Sequence, residues 1–248
     1  MKTDFKMPSD AGLRLADLHG ALNDRSVDVI VSSRGGYGSA HLLEKIDWKL
    51  MRERNIPVLG YSDITALHLA MFAKKAGVPV STPVAVEMPG ALRFKAAADS
   101  LTKALDPSQP PQEISPPRPE VLKRGRASGG IIPANLATLC SVVGTEFMPD
   151  MRGKILLIEE VNEKPYQIDR MLTQLRLAGI LKDISGLLLG KFIACGSRRI
   201  LRKIFADFAN CVNGPVVAGI RFGHRAPSLC VRLGAETGVS AEGRITVI

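Results

Sequence analysis

Apolar and polar positions along this chain fall into short apolar runs separated by stretches of helical period. Leu13, Leu15, Leu18 and Leu22 recur at helical spacing and predict a first helix, with Ser9 as its candidate cap. Val27 to Ser32 is short and β-branched, which predicts a buried strand. The glycine loop Arg34-Gly35-Gly36-Tyr37-Gly38 follows, and Ser39 opens a second helical pattern through Leu42, Leu43 and Ile46. A strand, a glycine loop and a helix make half of a βαβ unit. Pro57 to Gly60 predicts the next strand, Asp63 to about Ala76 a helix, and Val78 to Thr82 a third strand.

The pattern breaks between Asp106 and Glu120, where Pro107, Pro110, Pro111, Pro116, Pro117 and Pro119 forbid an α-helix and disfavour a central strand. This stretch predicts a semi-extended linker. Beyond it, Ala134 to Val143 reads as helix and Lys154 to Ile158 as an apolar strand. Ile168 to Leu177 reads as a helix with Gly179 as its C-cap, and Ile184 to Leu189 as another buried strand. A helix at Arg198 and short strands at Val216–Ala218 and Ile245–Val247 complete the reading. The expected organisation is an α/β domain over 1–105, a linker over 106–120 and a second domain over 121–248.

Composition narrows the class. A hydrophobic share of 46% with 23% charged residues suits a globular chain able to bury a core. No apolar run approaches the ~20 residues that span a bilayer, and Met1 to Lys6 lacks the apolar core of a signal peptide. Cys140, Cys195, Cys211 and Cys230 show no Cys-x-x-Cys spacing, so they read as buried thiols of a reducing compartment, without disulfide or zinc. The expected location is the cytoplasm. A net charge of +9 raises nucleic acid as a partner. The densest basic cluster, Arg198 to Phe205, has the period of an amphipathic helix, and aromatics are only 5% of the chain. The expectation is therefore no nucleic-acid and no membrane partner.

Four stretches could carry chemistry. Glycines after a strand let N–H groups converge on an anion, but His41 stands where a dinucleotide fingerprint needs its third glycine. A tight turn is the commoner use of such glycines. Ser62 lies in Gly60-Tyr61-Ser62-Asp63-Ile64, between a strand and a helix, and is either an N-cap or an exposed nucleophile; Ile64 replaces the second glycine of a hydrolase elbow. Glu159 and Glu160 end an apolar strand, and alternation sends one toward the interior or a cleft and the other to solvent. His224 follows Gly223 in a loop past a strand, whereas His19, His41 and His68 fall within helical patterns. The order serine, carboxylate, histidine is compatible with a nucleophile, an orienter and a base arriving from separate loops.

These segments, with Ile168-Asp169-Arg170-Met171-Leu172, resemble the L,D-carboxypeptidase family of serine peptidases, which includes muramoyltetrapeptide carboxypeptidase and the microcin-immunity peptidases. The resemblance runs from about Leu15 to the C-terminus. It implies a Rossmann- or flavodoxin-like N-terminal domain and a smaller mixed α/β, β-rich C-terminal domain. It also implies Ser62 as nucleophile, His224 as general base and Glu159 as its orienter, ahead of Glu160 and Glu163. The N–H of Asp63, with that of Gly35 or Gly36, becomes the expected oxyanion hole. The implied reaction releases the terminal D-alanine of murein tetrapeptides in cell-wall recycling, without metal or other cofactor, in a homodimer.

Two departures from the family pattern accompany it. The family carries a further strand–helix–strand ahead of the segment matching Leu15, so this chain begins about fifty residues late and its first domain is expected to be incomplete, with an exposed sheet edge. Pro133-Ala134 replaces two glycines before Asn135-Leu136, and a loop of positive φ could not accept that proline. The alternatives are a microcin-immunity-like peptidase acting on a peptidyl-nucleotide, or an inactive remnant.

Overall fold

The structure is a computed structural model that describes residues 10–116 and 118–248. The first part of the chain forms α1 (Ala11–Asn23), β1 (Ile30–Val31), a 3-10 turn (Ser39–Lys45), α2 (Trp48–Arg54), β2 (Pro57–Gly60), α3 (Thr65–Lys74) and β3 (Val78–Ser81). Helices α4 (Met88–Ala91) and α5 (Lys95–Leu105) lead into β4 (Gln112–Glu113), β5 (Glu120–Lys123) and β6 (Ala127–Asn135). Then come α6 (Leu136–Val142), β7 (Ile155–Val161), α7 (Pro165–Leu177), α8 (Ile180–Asp183), β8 (Gly186–Ile193) and α9 (Arg198–Ala209). The chain closes with β9 (Val216–Ala218), β10 (Val231–Arg232), β11 (Glu236–Val239) and β12 (Ile245–Val247).

Among the described residues the strands build an α/β architecture of two sheets. The first has the order β1-β2-β3-β10, with β1, β2 and β3 parallel and β10 antiparallel to β3. The second has the order β4-β12-β11-β6-β7-β8-β9-β5, parallel from β6 to β9 and antiparallel outside that block. The larger sheet is covered on both faces, and its strands show why. Leu156 and Ile158 of β7 enter the core shared with helices α6 and α7, while Ile155 and Leu157 enter a separate core with Phe222 and Leu229. A strand buried on both sides reads as a continuous apolar run, which is how β7 and β8 announced themselves. The first core also takes in Leu22, Leu69 and Met71 from α1 and α3, so one apolar interior joins both sheets. Among the described residues no helix is long and apolar enough to cross a membrane.

Several local expectations change. The first helix forms, but its cap is Asp10, whose carboxylate accepts from the Gly12 and Leu13 amides; Ser9 lies outside the described residues. The buried strand expected over Val27 to Ser32 reduces to Ile30–Val31, half-buried, with Val29 exposed. It pairs only with β2 among the described strands, and an edge strand has one neighbour to bury it. The pattern opened by Ser39 is a 3-10 turn followed by the unforeseen α2, capped by Asp47 onto the Leu50 amide. Gly179 does end α7, at φ 80°, one residue past the last helical turn.

Pro133 and Ala134 lie in β6 rather than in a loop, paired with Leu157 and Ile158. The amides of Ile131 and Asn135 point to the same side as the missing one of Pro133: Ile131 donates to Ala235 and Asn135 to the Thr65 hydroxyl. The β11 ladder has ended by that level, so no strand waits there for a donor. The backbone is extended, and the positive φ that would have excluded proline does not arise.

Candidate active site

The carboxyl ends of both sets of parallel strands meet, and the candidate residues lie there, as expected for ligand sites in parallel α/β sheets. Strand β2 delivers Ser62 through a strained turn. Gly60 has φ 159°, and a Cβ on it would stand 2.9 Å from the Ser32 hydroxyl and 3.0 Å from Ile64. Ser62 itself has φ 61°, a conformation rare for a non-glycine residue and frequent where a side chain must be presented at a site. Its hydroxyl caps no helix; instead it lies 3.0 Å from Nε2 of His224. The N-cap alternative for Ser62 therefore fails.

His224 Nδ1 is 2.7 Å from Oε2 of Glu159, a fully buried carboxylate. Three residues far apart in sequence thus form one hydrogen-bonded chain from hydroxyl to imidazole to carboxylate. With Nδ1–H donating to the carboxylate, Nε2 is the acceptor facing Ser62. Burial opposes the imidazolium, but the hydrogen bond and charge of Glu159, with Glu160 and Glu87 behind it, outweigh that, and the pKa of His224 is raised. Close approach needs glycine here. A Cβ on Gly223, at φ 119°, would stand 2.8 Å from Oε2 of Glu159.

Glu160 corrects the expectation that one of the paired acids faces solvent. Alternation does separate the two, but both faces of the sheet are covered and both side chains are buried. Glu160 turns toward α6, accepting from the amides of Ala137 at 2.7 Å and Val161 at 2.9 Å and from the Asn135 side chain at 2.9 Å. Burial is the largest influence on Glu160 and raises its pKa against these donors. Glu163 sits half-buried past the end of β7 and is not among the partners of His224.

Asn135 is the residue the sequence reading passed over. Its Oδ1 caps α6 by accepting from the Thr138 amide and hydroxyl, and its Nδ2 donates to Glu160 and, at 3.2 Å, to Oε1 of Glu159. An asparagine at a strand-to-helix junction signals a cap. Nothing local signals that its other end holds two carboxylates from β7.

The glycine loop is pinned to the serine turn by Asp63, whose carboxylate accepts from the Gly38 amide, the Ser39 amide at 2.9 Å and the Ser39 hydroxyl at 2.7 Å. That brings Gly35 against the serine: a Cβ there would lie 3.2 Å from Cβ of Ser62. Gly36 follows at φ 129°. Tyr61 stacks on His224 with ring centroids 4.7 Å apart and donates its hydroxyl to Glu87 at 3.0 Å. Burial and that bond push the phenol pKa upward. A cavity of about 420 Å³ opens beside the imidazole, walled by Tyr61, Val86, Glu87 and Arg225.

Fold and site together describe an α/β protein with a Ser–His–Glu hydrogen-bonded chain at the meeting of two sheets. Family models identify it further: residues 3–81 match the LD-carboxypeptidase N-terminal domain and residues 128–239 the LD-carboxypeptidase C-terminal domain. The chain belongs to the LD-carboxypeptidase family. It is 34% identical over 245 residues to the probable murein peptide carboxypeptidase of Bacillus subtilis (strain 168), covering 95% of this chain and 76% of that one. Among solved structures it superposes on an MccF-like protein from Bacillus anthracis with a TM-score of 0.89 at 27% identity, over 100% of this chain and 84% of the other. It superposes on muramoyltetrapeptide carboxypeptidase from Oxalobacter formigenes with a TM-score of 0.82 at 25% identity, over 96% and 84% of the two chains.

Proposed function

We propose that this carboxypeptidase hydrolyses murein tetrapeptides and releases their terminal D-alanine by a serine mechanism centred on Ser62. The observation that carries the reading is the unbroken hydrogen-bonded chain from Ser62 through His224 to Glu159. In this reading Oγ of Ser62 attacks the carbonyl carbon of the scissile amide while Nε2 of His224 takes the hydroxyl proton. Glu159 holds the imidazole in the required tautomer and stabilises its protonated form. The oxyanion that forms is met by the N–H of Asp63 and that of Gly35 or Gly36, a reading supported by the Asp63 carboxylate pinning the glycine loop and by Gly35 lying against Ser62. Collapse breaks the C–N bond, His224 gives its proton to the departing amine, and the released residue leaves through the cavity beside Tyr61. Water then attacks the acyl ester, losing a proton to Nε2; the C–Oγ bond breaks, His224 returns the proton to Oγ of Ser62, and the shortened peptide leaves as its carboxylate.

The test is release of D-alanine from a murein tetrapeptide and its loss in Ser62→Ala. Turnover surviving that substitution would remove Ser62 from the role of nucleophile. The proposal extends to a cytoplasmic place in cell-wall recycling and to a homodimer, both resting on the family resemblance; light scattering at working concentration tests the dimer, and a monomer mass would refute it. The superposition on the MccF-like protein supports a second reading, a microcin-immunity-like peptidase, for which the family resemblance implies a peptidyl-nucleotide substrate. Comparing kcat/KM on both substrate classes decides between them.

A further inference from the structure

The loop that carries His224 is closed at its neck and open at its tip. Leu229 donates to the Arg221 carbonyl at 2.7 Å, and the Gly223 amide donates to the Ser228 hydroxyl at 3.0 Å, so residues 223–228 form a small hoop. Beyond the neck, the carbonyls of Arg225 and Pro227 both accept from one side chain. Nζ of Lys191 donates to the Pro227 carbonyl at 2.5 Å and to the Arg225 carbonyl.

Lys191 stands on β8 immediately after Gly190, the residue that passes under Phe222 and beside Glu159. Its own amide donates to the Phe222 carbonyl at 2.8 Å. One rigid strand position therefore grips the hoop on both sides of His224, by backbone at residue 222 and by ammonium at residues 225 and 227. A lysine on a parallel strand finds an easier home in solvent, and this one is half-buried among cations.

We propose that Lys191 is a positioning residue for the reaction, its ammonium holding the His224 hoop so that Nε2 meets Ser62. The inference rests on the serine mechanism above. An ammonium is suited to the task because charge-assisted bonds to carbonyls are about twice as strong as neutral ones. The groups facing it are the guanidinium-bearing Arg225 and Arg221, and burial together with these charges lowers the Lys191 pKa to about 8. The grip is thus strongest below about pH 8 and weakens above it, as the ammonium gives way to a neutral amine.

The test compares Lys191→Met and Lys191→Arg with wild type. The expected result for Lys191→Met is a kcat lowered about 10- to 100-fold with KM nearly unchanged, since about an ångström of misplacement costs that much. Lys191→Arg keeps a cation that does not titrate, so wild type should show an alkaline limb near pH 8 that Lys191→Arg lacks. The rate at which a fluorophosphonate labels Ser62 reads the same geometry without any peptide, so a wrong substrate assignment would leave this readout intact. Should Lys191→Met fold poorly, the pH profile of Lys191→Arg still decides. Wild-type kcat and labelling rate in Lys191→Met, or an alkaline limb retained in Lys191→Arg, overturns the proposal.

Discussion

Gly190→Ala offers a sharp test of how the site is assembled. The position lies in β8, outside the left-handed region, so alanine meets no backbone strain there. What it meets is matter. A Cβ would stand 2.7 Å from the Phe222 carbonyl oxygen, 3.1 Å from the Ile158 carbonyl oxygen and 3.3 Å from Cβ of Glu159. The nearest obstacle is backbone, which cannot rotate away as the end of a flexible side chain would. Restoring an ordinary 3.4 Å contact requires the hoop bearing His224 to retreat by about 0.7 Å. Replacing glycine should by itself stabilise by roughly 0.4–1 kcal/mol through the unfolded state. Overpacking costs roughly 1–3 kcal/mol, so the clash wins and a net loss of about 1 kcal/mol is expected. For a chain of this size that is a fall of about 2–4 °C in Tm. The effect on activity should be larger, because the retreat separates Nδ1 from Glu159 and Nε2 from Ser62 together; about a 10- to 100-fold loss of kcat is expected. The measurements are thermal melts and steady-state kinetics. Gly20→Ala serves as the control: it lies inside α1 with nothing within 4 Å of its would-be Cβ, and should stabilise by about 0.5–1 kcal/mol. A Gly190→Ala protein with a raised Tm and unchanged kcat would refute the reasoning.

Further outcomes follow from the titrating groups. Because Glu159 helps raise the His224 pKa, kcat/KM of wild type should climb with pH through a midpoint above 6.5. Glu159→Gln should lower turnover by about 10³–10⁴ and move that midpoint downward, since burial then acts with less opposition; an unmoved midpoint would count against Glu159 as the orienter. His68, buried in α3 with Nε2 2.9 Å from the Val58 carbonyl, has its pKa lowered by burial to about 4. The folded state therefore binds this proton less readily than the unfolded chain. Stability is complete above pH 6.5 and falls by about 3 kcal/mol as the pH drops from there toward 4. Urea melts of wild type and His68→Gln across that range should show the wild type losing more; parallel curves would refute it.

Much of this protein could be read locally, because local rules decide it. The runs at Pro57–Gly60, Lys154–Ile158 and Val216–Ala218 became strands, since an apolar run bounded by turn residues has few other ways to bury itself. Strand and turn patterns marked Ser62, Glu159, Glu160 and His224 as candidates, and the family resemblance, not their spacing, made Ser62, Glu159 and His224 the expected triad. Elements whose reason lies elsewhere in the chain escaped. Strands β10 and β11 are short and weakly patterned, and they form because β3 and β6 offer edges to pair with. Glu160 looked solvated because no stretch of sequence says which sheet face is covered; α6 decided that by presenting the Ala137 amide. Asn135 carried only the mark of a helix cap, and its contact with Glu159 exists because β6 and β7 are neighbours in register. Periodicity and turn geometry in the sequence marked the turns and strand ends that carry a serine, two acids and a histidine, and the family resemblance supplied their expected roles. Tertiary structure alone decided that Ser62 meets His224 rather than capping its helix, and that Lys191 grips the His224 hoop. The physical reason is that such contacts join residues far apart in the chain, and only the packing of two sheets around one core brings them within hydrogen-bonding distance.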